Sequence, residues 1–216
     1  MTPPTIRIYG ADALLLDWSD ADGRAELGDA PLRLAKWLRT HSVLASQVVD
    51  VIPGACTVLV VHEPGARDVV RGIIDTFEPS SVALPNGRTH QIAVTYDGDD
   101  LDAVATAVGC TVAEVVSLHT SATYRVAFCG FAPGFAYLTG LHERLHLPRR
   151  ATPRTKVPPG SVAIASEYSA VYPSASPGGW NLLGTTSAVM WNVERTPPSL
   201  LQPGDTVRFV VHGTAR

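Results

Sequence analysis

Lysine is almost missing from this chain. Lys36 and Lys156 stand alone beside fifteen arginines in 216 residues. The net charge is −3, which gives no reason to expect nucleic-acid binding. Cysteine is scarce too. Cys56, Cys110 and Cys129 are odd in number and fit no metal-knuckle spacing. No apolar run approaches the ~18 residues of a membrane helix. The opening M-T-P-P-T-I-R-I-Y-G lacks a charged-then-apolar signal region. There is no N-x-S/T site and no G-x-S-x-G nucleophile elbow. A reduced, cytoplasmic protein that binds neither nucleic acid nor membrane is expected.

Apolar residues are plentiful, and their spacing predicts the layout. Residues 5–9 and 13–18 read as strands around a turn at Gly10. Pro31 opens a helix that puts Leu34, Trp37 and Leu38 on one face. Residues 47–52 and 56–62 are predicted strands, and 64–77 a second helix. Strand, helix, strand, strand, helix is a split β-α-β, ferredoxin-like order. Residues 79–89 are rich in Pro, Ser, Asn and Gly, which places a boundary between domains at 1–85 and 86–216.

The second domain begins with a strand at 91–96 and short helices at 99–108 and 111–119. Thr111 and Glu114 have capping-box spacing. The aspartates at the start of the first helix suit its dipole. Beyond residue 119, strands are predicted at 124–129, 161–165, 170–172, 188–193 and 206–211, between loops rich in Pro and Gly. Short strands with long loops predict a β-barrel, so the whole chain is α+β.

The sequence is densest in chemistry between residues 119 and 186. Phe131, Pro133, Gly134, Phe135 and Tyr137 crowd one short stretch. Gly and Pro fix backbone shape and aromatics supply stacking surface, so the stretch predicts a rigid, sculpted surface. Arg149, Arg150, Arg154 and Lys156 form a basic cluster in a proline-broken segment. That cluster is either a solvated loop or an anion clamp, with Arg154 its best single candidate. As an exposed loop residue, Arg154 is expected to contribute little to stability. His119 is either a helix-end residue that meets the dipole or a general acid/base.

Other motifs fail on physical grounds. His142-Glu-Arg-Leu-His146 matches H-E-x-x-H, but Gly140 and Pro148 leave no room for a metal-bearing helix, so no metal is expected. Residues 179–186 have P-loop glycine spacing, yet Thr185 stands where the lysine must be. Cys129 sits in an apolar run and reads as core rather than nucleophile.

Three motifs recur together: H-T-x-x-T-Y-R-V-A-F-x-G-F-A-P-G-F-x-Y-L, P-R-R-A-T-P-R-x-x-V-P-x-G-S-V-A-I-A and Y-P-x-x-S-P-G-G-W-x-L-L-G. With them the chain resembles the allophanate-hydrolase-subunit-1 family, also called the KipI/PxpB family, over roughly residues 90–212. The resemblance implies a cyclophilin-like β-barrel after the N-terminal domain. It implies a subunit of an ATP-dependent 5-oxoprolinase that opens 5-oxo-L-proline to L-glutamate. ATP with magnesium would be used through the complex, with no tightly bound cofactor. The implied partners are a subunit-2 (KipA/PxpC-like) protein and a third, lactam-opening subunit. Another branch of the family implies the alternative, a module that inhibits a sensor histidine kinase.

On this reading the candidate catalytic residues are His119 and Arg154. The candidate substrate-binding residues are Tyr124, Phe131, Pro133, Gly134, Phe135, Tyr137, Arg149, Lys156, Ser161, Tyr172, Pro177, Gly178, Gly179 and Trp180. The sequence departs from the family at Ser166–Ala170, where G-G-Q-T-G is usual. It departs again at Gly184-Thr185-Thr186, where an arginine is usual.

Overall fold

The computed structural model describes residues 3–19, 29–78, 81–83 and 87–212. The chain forms two compact units, Met1–Pro85 and Asn86–Arg216. The expected linker at residues 79–89 lies partly outside the described residues.

In the first unit β1 (Thr5–Ile8), β2 (Ala13–Asp17), β3 (Val48–Pro53) and β4 (Thr57–His62) form one sheet in the order β1-β2-β4-β3, each neighbour antiparallel. Helix α1 (Ala30–Thr40) connects β2 to β3, and β4 lies between those two strands. This is the predicted split β-α-β unit. Pro31 occupies the first turn of α1, where its missing N–H costs nothing. Leu34 and Leu38 of α1 and Val70 and Ile74 of α2 (Arg67–Ile74) share a core with Leu14, Leu16, Val58 and Val60.

The second unit is built on a seven-stranded sheet. Its strands are β5 (Thr89–Val94), β6 (Tyr124–Cys129), β7 (Ala136–Thr139), β9 (Ser161–Ala165), β10 (Tyr168–Val171), β12 (Asn181–Thr185) and β13 (Thr206–Val211), in the order β12-β9-β10-β7-β6-β13-β5. Only β13–β5 is parallel among these pairs. The two edges meet: Thr95 N–H donates to the Thr185 carbonyl at 2.9 Å, and Thr185 N–H returns a bond to Thr95 at 2.8 Å. Gly184 makes this approach possible, since a Cβ there would lie 2.3 Å from the Thr95 carbonyl oxygen. The result is the nearly closed barrel the sequence predicts.

Helices α3 (Leu101–Val108) and α4 (Val112–Ser121) share the barrel's core, through Val104, Val115 and Val116. The α4 N-terminus carries the predicted Thr111–Glu114 capping box. No single helix among the described residues is long and apolar enough to cross a membrane.

Residues 188–193 do not form the predicted strand. They alternate Val189, Trp191 and Val193 outward, and only an isolated bridge from Trp191 to Ser199 pairs them. The sequence also leaves β7, β8 (Arg154–Val157), β11 (Ser176–Gly178) and β12 looking like loops. They are only three to five residues long, with Pro or Gly inside or close beside them, which hides the period-2 pattern.

Strand β9 explains where a site forms. All five of its residues are buried. Val162 and Ile164 face the barrel core, while Ala163 and Ala165 face a second apolar cluster with Phe135, Tyr172, Trp180 and Leu182. Small alanines on that face leave room for large aromatics. The antiparallel pair β8–β11 supplies Val157 to the same cluster.

Candidate functional site

The open margin of this second cluster is a pocket of about 240 Å³. It is smaller than the ~300–1,000 Å³ of drug-sized sites and suits a small molecule. Phe131, Phe135, Tyr137, Arg149, Pro153, Tyr172, Pro177, Gly178, Gly179 and Trp180 line it. Phe135 is the hub. Its ring meets those of Phe131, Tyr137, Tyr172 and Trp180 at 5.1–5.5 Å in edge-to-face geometry. Gly178 has to be glycine, because a Cβ would sit 2.3 Å from the Tyr172 hydroxyl. Burial pushes the Tyr172 hydroxyl pKa up, against the Trp180 backbone and the Arg149 charge.

Phe131 is unusual. It is 62% exposed and holds φ at 69°, a left-handed conformation that costs an aromatic residue about 1–3 kcal/mol. Core packing does not require that strain, so it points to a role at the pocket mouth. Phe131→Gly is therefore expected to hold or raise stability, by up to about 1 kcal/mol, while weakening retention of a pocket ligand. Thermal unfolding and ligand titration on one preparation check both halves. A clear stability loss would make Phe131 an ordinary packing residue.

One wall of the pocket is the segment carrying Arg149, Arg150 and Pro153. Arg150 N–H donates to the Gly179 carbonyl at 2.7 Å, and Asn181 donates to the Pro148 carbonyl at 3.0 Å. Asp100 fixes the wall from behind. Its carboxylate is buried and accepts two N–H groups of Arg154 at 2.8 and 2.9 Å, one from Arg150, and the Leu182 backbone N–H at 2.8 Å. Burial alone would raise the Asp100 pKa. The Arg154 hydrogen bonds, the Leu182 N–H and the two arginine charges outweigh it, so the carboxyl lies below its ordinary range. Asp99 adds a longer contact to Arg154 at 3.7 Å.

The structure thus brings Phe131, Phe135, Tyr137, Arg149, Tyr172, Pro177, Gly178, Gly179 and Trp180 together. It sets the other candidates elsewhere. Arg154 is a half-buried strand residue committed to Asp100, which corrects the expectation of an exposed loop arginine with little effect on stability. Lys156 is exposed and does not line the pocket. Pro133 is exposed, and Gly134 packs against Met190 and Trp191. Ser161 is buried, its hydroxyl on the Pro158 carbonyl at 2.9 Å. Tyr124 donates to the His119 carbonyl at 2.9 Å inside the core.

His119 itself is fully buried. Its Nδ1 faces the Tyr96 hydroxyl at 2.7 Å and its Nε2 the Ser169 hydroxyl at 3.0 Å. Burial drives its pKa down to about 3, which keeps the imidazole neutral. The Cys129 thiol is pushed up to about 11 by burial and the Asp205 charge. Residues 142–146 hold only a 3-10 turn, Glu143–Leu145, with the His146 Nε2 3.0 Å from the Leu141 carbonyl. The two histidines are therefore not presented on an α-helical face. Thr185, where the family arginine is missing, lies at the barrel seam beside Asp97, outside the pocket lining. Sequence reasoning misses Asp100, Pro153 and the backbone role of Arg150. For Asp100 the one local signal is an aspartate cluster ahead of an apolar helix.

Residues 4–201 match the family described as carboxyltransferase domain, subdomain C and D. The chain belongs to that family. It is 45% identical over 169 residues to the 5-oxoprolinase B subunit of Escherichia coli O157:H7, covering 76% of this chain and 78% of that protein. It is 40% identical over 147 residues to the 5-oxoprolinase B subunit of Bacillus subtilis (strain 168), covering 67% of this chain and 60% of that one. These relatives bear out the resemblance read from the motifs. Among solved structures, TTHA0988 superposes with a TM-score of 0.78 at 32% identity, covering 97% of this chain. This chain spans only 41% of the TTHA0988 chain. The Kluyveromyces lactis urea carboxylase shares the fold alone: 19% identity, TM-score 0.71, covering 98% of this chain and 22% of that one.

Proposed function

We propose that this chain is the B-type subunit of an ATP-dependent 5-oxoprolinase assembly, and that its aromatic pocket receives 5-oxo-L-proline. The observation that carries the reading is the pocket itself: aromatic walls on a small volume, with Arg149 at its edge making no ion pair among the described residues. 5-Oxoproline is a flat five-membered lactam with a carboxylate. Its ring faces suit the walls of Phe135, Tyr137 and Trp180, and its carboxylate suits a guanidinium.

A lactam amide resists water because it is resonance-stabilised. Bound in the complex, ATP with magnesium would supply the activation, by phosphorylating the amide oxygen. The stretch with P-loop glycine spacing does not form a phosphate loop, since Asn181–Thr185 is strand β12. On this reading the nucleotide is bound with a subunit-2 (KipA/PxpC-like) partner and a third, lactam-opening subunit. The present chain binds the substrate, orients it and excludes water. Arg154 and His119 contribute by holding the scaffold, because their polar groups are already engaged.

The test is the reconstituted complex, assayed for 5-oxoproline-dependent ATP hydrolysis. Arg149→Gln is expected to raise KM for 5-oxoproline about ten- to a hundredfold, the worth of one charge-assisted pair. Lys156→Gln should leave KM alone, and this chain by itself should show no turnover. An unchanged KM for Arg149→Gln would overturn the assignment of the pocket.

A further inference from the structure

The barrel unit carries a second recess that this reading leaves unused. It encloses about 350 Å³, more than the aromatic pocket, and shares no lining residue with it. Arg88, His90, Arg195, Ser199, Gln202 and Asp205 are among the polar residues that line it.

Charge is unbalanced there. Asp205 is the acid of this lining, and its carboxylate is already spent inside the wall. It accepts the Arg88 N–H at 2.8 Å and the Gln202 N–H at 2.9 Å, and it pairs with His90 Nε2 at 3.0 Å. The Arg195 guanidinium is oriented by the carbonyls of Val189, Met190 and Pro198 at 2.8–3.3 Å. Those carbonyls fix its plane but carry no net charge. Its Nε is buried without a partner, a state that native proteins rarely leave unanswered.

Arg88 differs in a useful way. Its main chain is anchored, N–H to Asp205 and carbonyl to the Thr206 N–H at 2.8 Å. Its guanidinium makes no hydrogen bond or ion pair among the described residues. Two guanidinium groups therefore border one recess, and neither is paired with a carboxylate among the described residues. Arg195 is held in place with its Nε and one Nη1 proton uncommitted, and the exposed Arg88 side chain, unpaired among the described residues, can turn onto a ligand, so the two together suit an oxyanion.

We propose that this recess binds a small oxyanion, a carboxylate or a phosphate, between Arg88 and Arg195. The site is independent of the aromatic pocket and does not rest on the oxoprolinase reading.

Purified full chain titrated calorimetrically at low salt with inorganic phosphate and, separately, with acetate, which is neither substrate nor product of the proposed reaction, tests it, with chloride as the control anion. One of the two probes should bind saturably and raise Tm, and which one does so assigns the ligand class. Arg88→Gln should weaken that binding about tenfold or more without lowering the ligand-free Tm, because the main chain holds this segment. Arg88→Lys should retain part of the affinity. Arg149→Gln, in the other pocket, should leave it unchanged. Saturation by neither probe overturns the proposal. So does equal binding by Arg88→Gln and the parent, or a loss caused by Arg149→Gln.

Discussion

Asp100→Ala is expected to cost about 3 kcal/mol of folding stability and to abolish ligand binding in the aromatic pocket. Removing one partner of a buried ion pair costs about 3–5 kcal/mol when the remaining charge stays buried. Here the remaining charges partly escape. The Arg154 side chain keeps 20% exposure and that of Arg150 36%, so both regain some water. That moves the cost toward the lower end. The Leu182 N–H does not escape, and a stranded buried donor adds about 1–3 kcal/mol.

The binding loss follows from connectivity. Asp100 holds Arg150, Arg150 holds the Gly179 carbonyl through its backbone, and Arg149 and Gly179 both line the pocket. Urea unfolding of Asp100→Ala, Arg154→Ala and the double mutant reads the energetic half. Arg154→Ala alone should also destabilise clearly, and Arg144→Ala should not. The double mutant should cost less than the two singles together, with a coupling of about 1–3 kcal/mol. A loss under about 0.5 kcal/mol for Asp100→Ala, within the range of ordinary surface substitutions, would end the view of Asp100 as the anchor of this wall.

Asp100 also shows what one sequence hides. The run Asp97-Gly-Asp-Asp100 reads locally as acids at a helix N-terminus, which is correct and incomplete. Its real partners lie 50 and 54 residues onward, and no periodicity connects them. The aromatic pocket is legible for the opposite reason. Phe131, Phe135, Tyr137 and Trp180 stand beside Gly and Pro, and those residue types mark sculpted backbone without any knowledge of contacts.

His119 is ambiguous in the sequence because its surroundings come from the Tyr96 segment, β10 and β13. Only folding shows that Tyr96, Ser169 and Phe209 enclose it. The false strand at 188–193 comes from true alternation. Alternation predicts a face but not a partner edge, and no strand is there to pair among the described residues. Strands β8 and β11 fail in reverse, as Ser176-Pro177-Gly178 pairs with β8 despite a proline that one would place in a loop.

Below about pH 6.5 the protein is expected to lose stability as His119 is forced toward protonation. The hydrogen-bond chain fixes its tautomer. The Ser169 hydroxyl donates its proton to the Ala163 carbonyl at 3.2 Å, so it can only accept from His119 Nε2–H. Nδ1 is then the acceptor for the Tyr96 hydroxyl. A second proton on the ring would meet that hydroxyl and leave a buried cation with no acid beside it. The ring is also stacked on Phe209 at 4.6 Å. Burial accordingly lowers the pKa to about 3 in the folded protein, against about 6.5 for an exposed histidine.

Between those values the unfolded chain binds the extra proton and the folded one does not. Stability is therefore complete above about pH 6.5 and falls as pH drops toward 3, by up to about 1.4 kcal/mol per unit. Asp100, whose pKa is also depressed, adds to the loss at the acid end. The two are separable by His119→Gln. A glutamine can accept from Tyr96 and donate to Ser169 without titrating. Unfolding free energies of parent and variant, measured from about pH 7.5 to about 4, should diverge in slope below about 6.5, with the variant flatter. Parallel curves would mean that His119 titrates normally, and that a proton can reach the ring in the folded barrel.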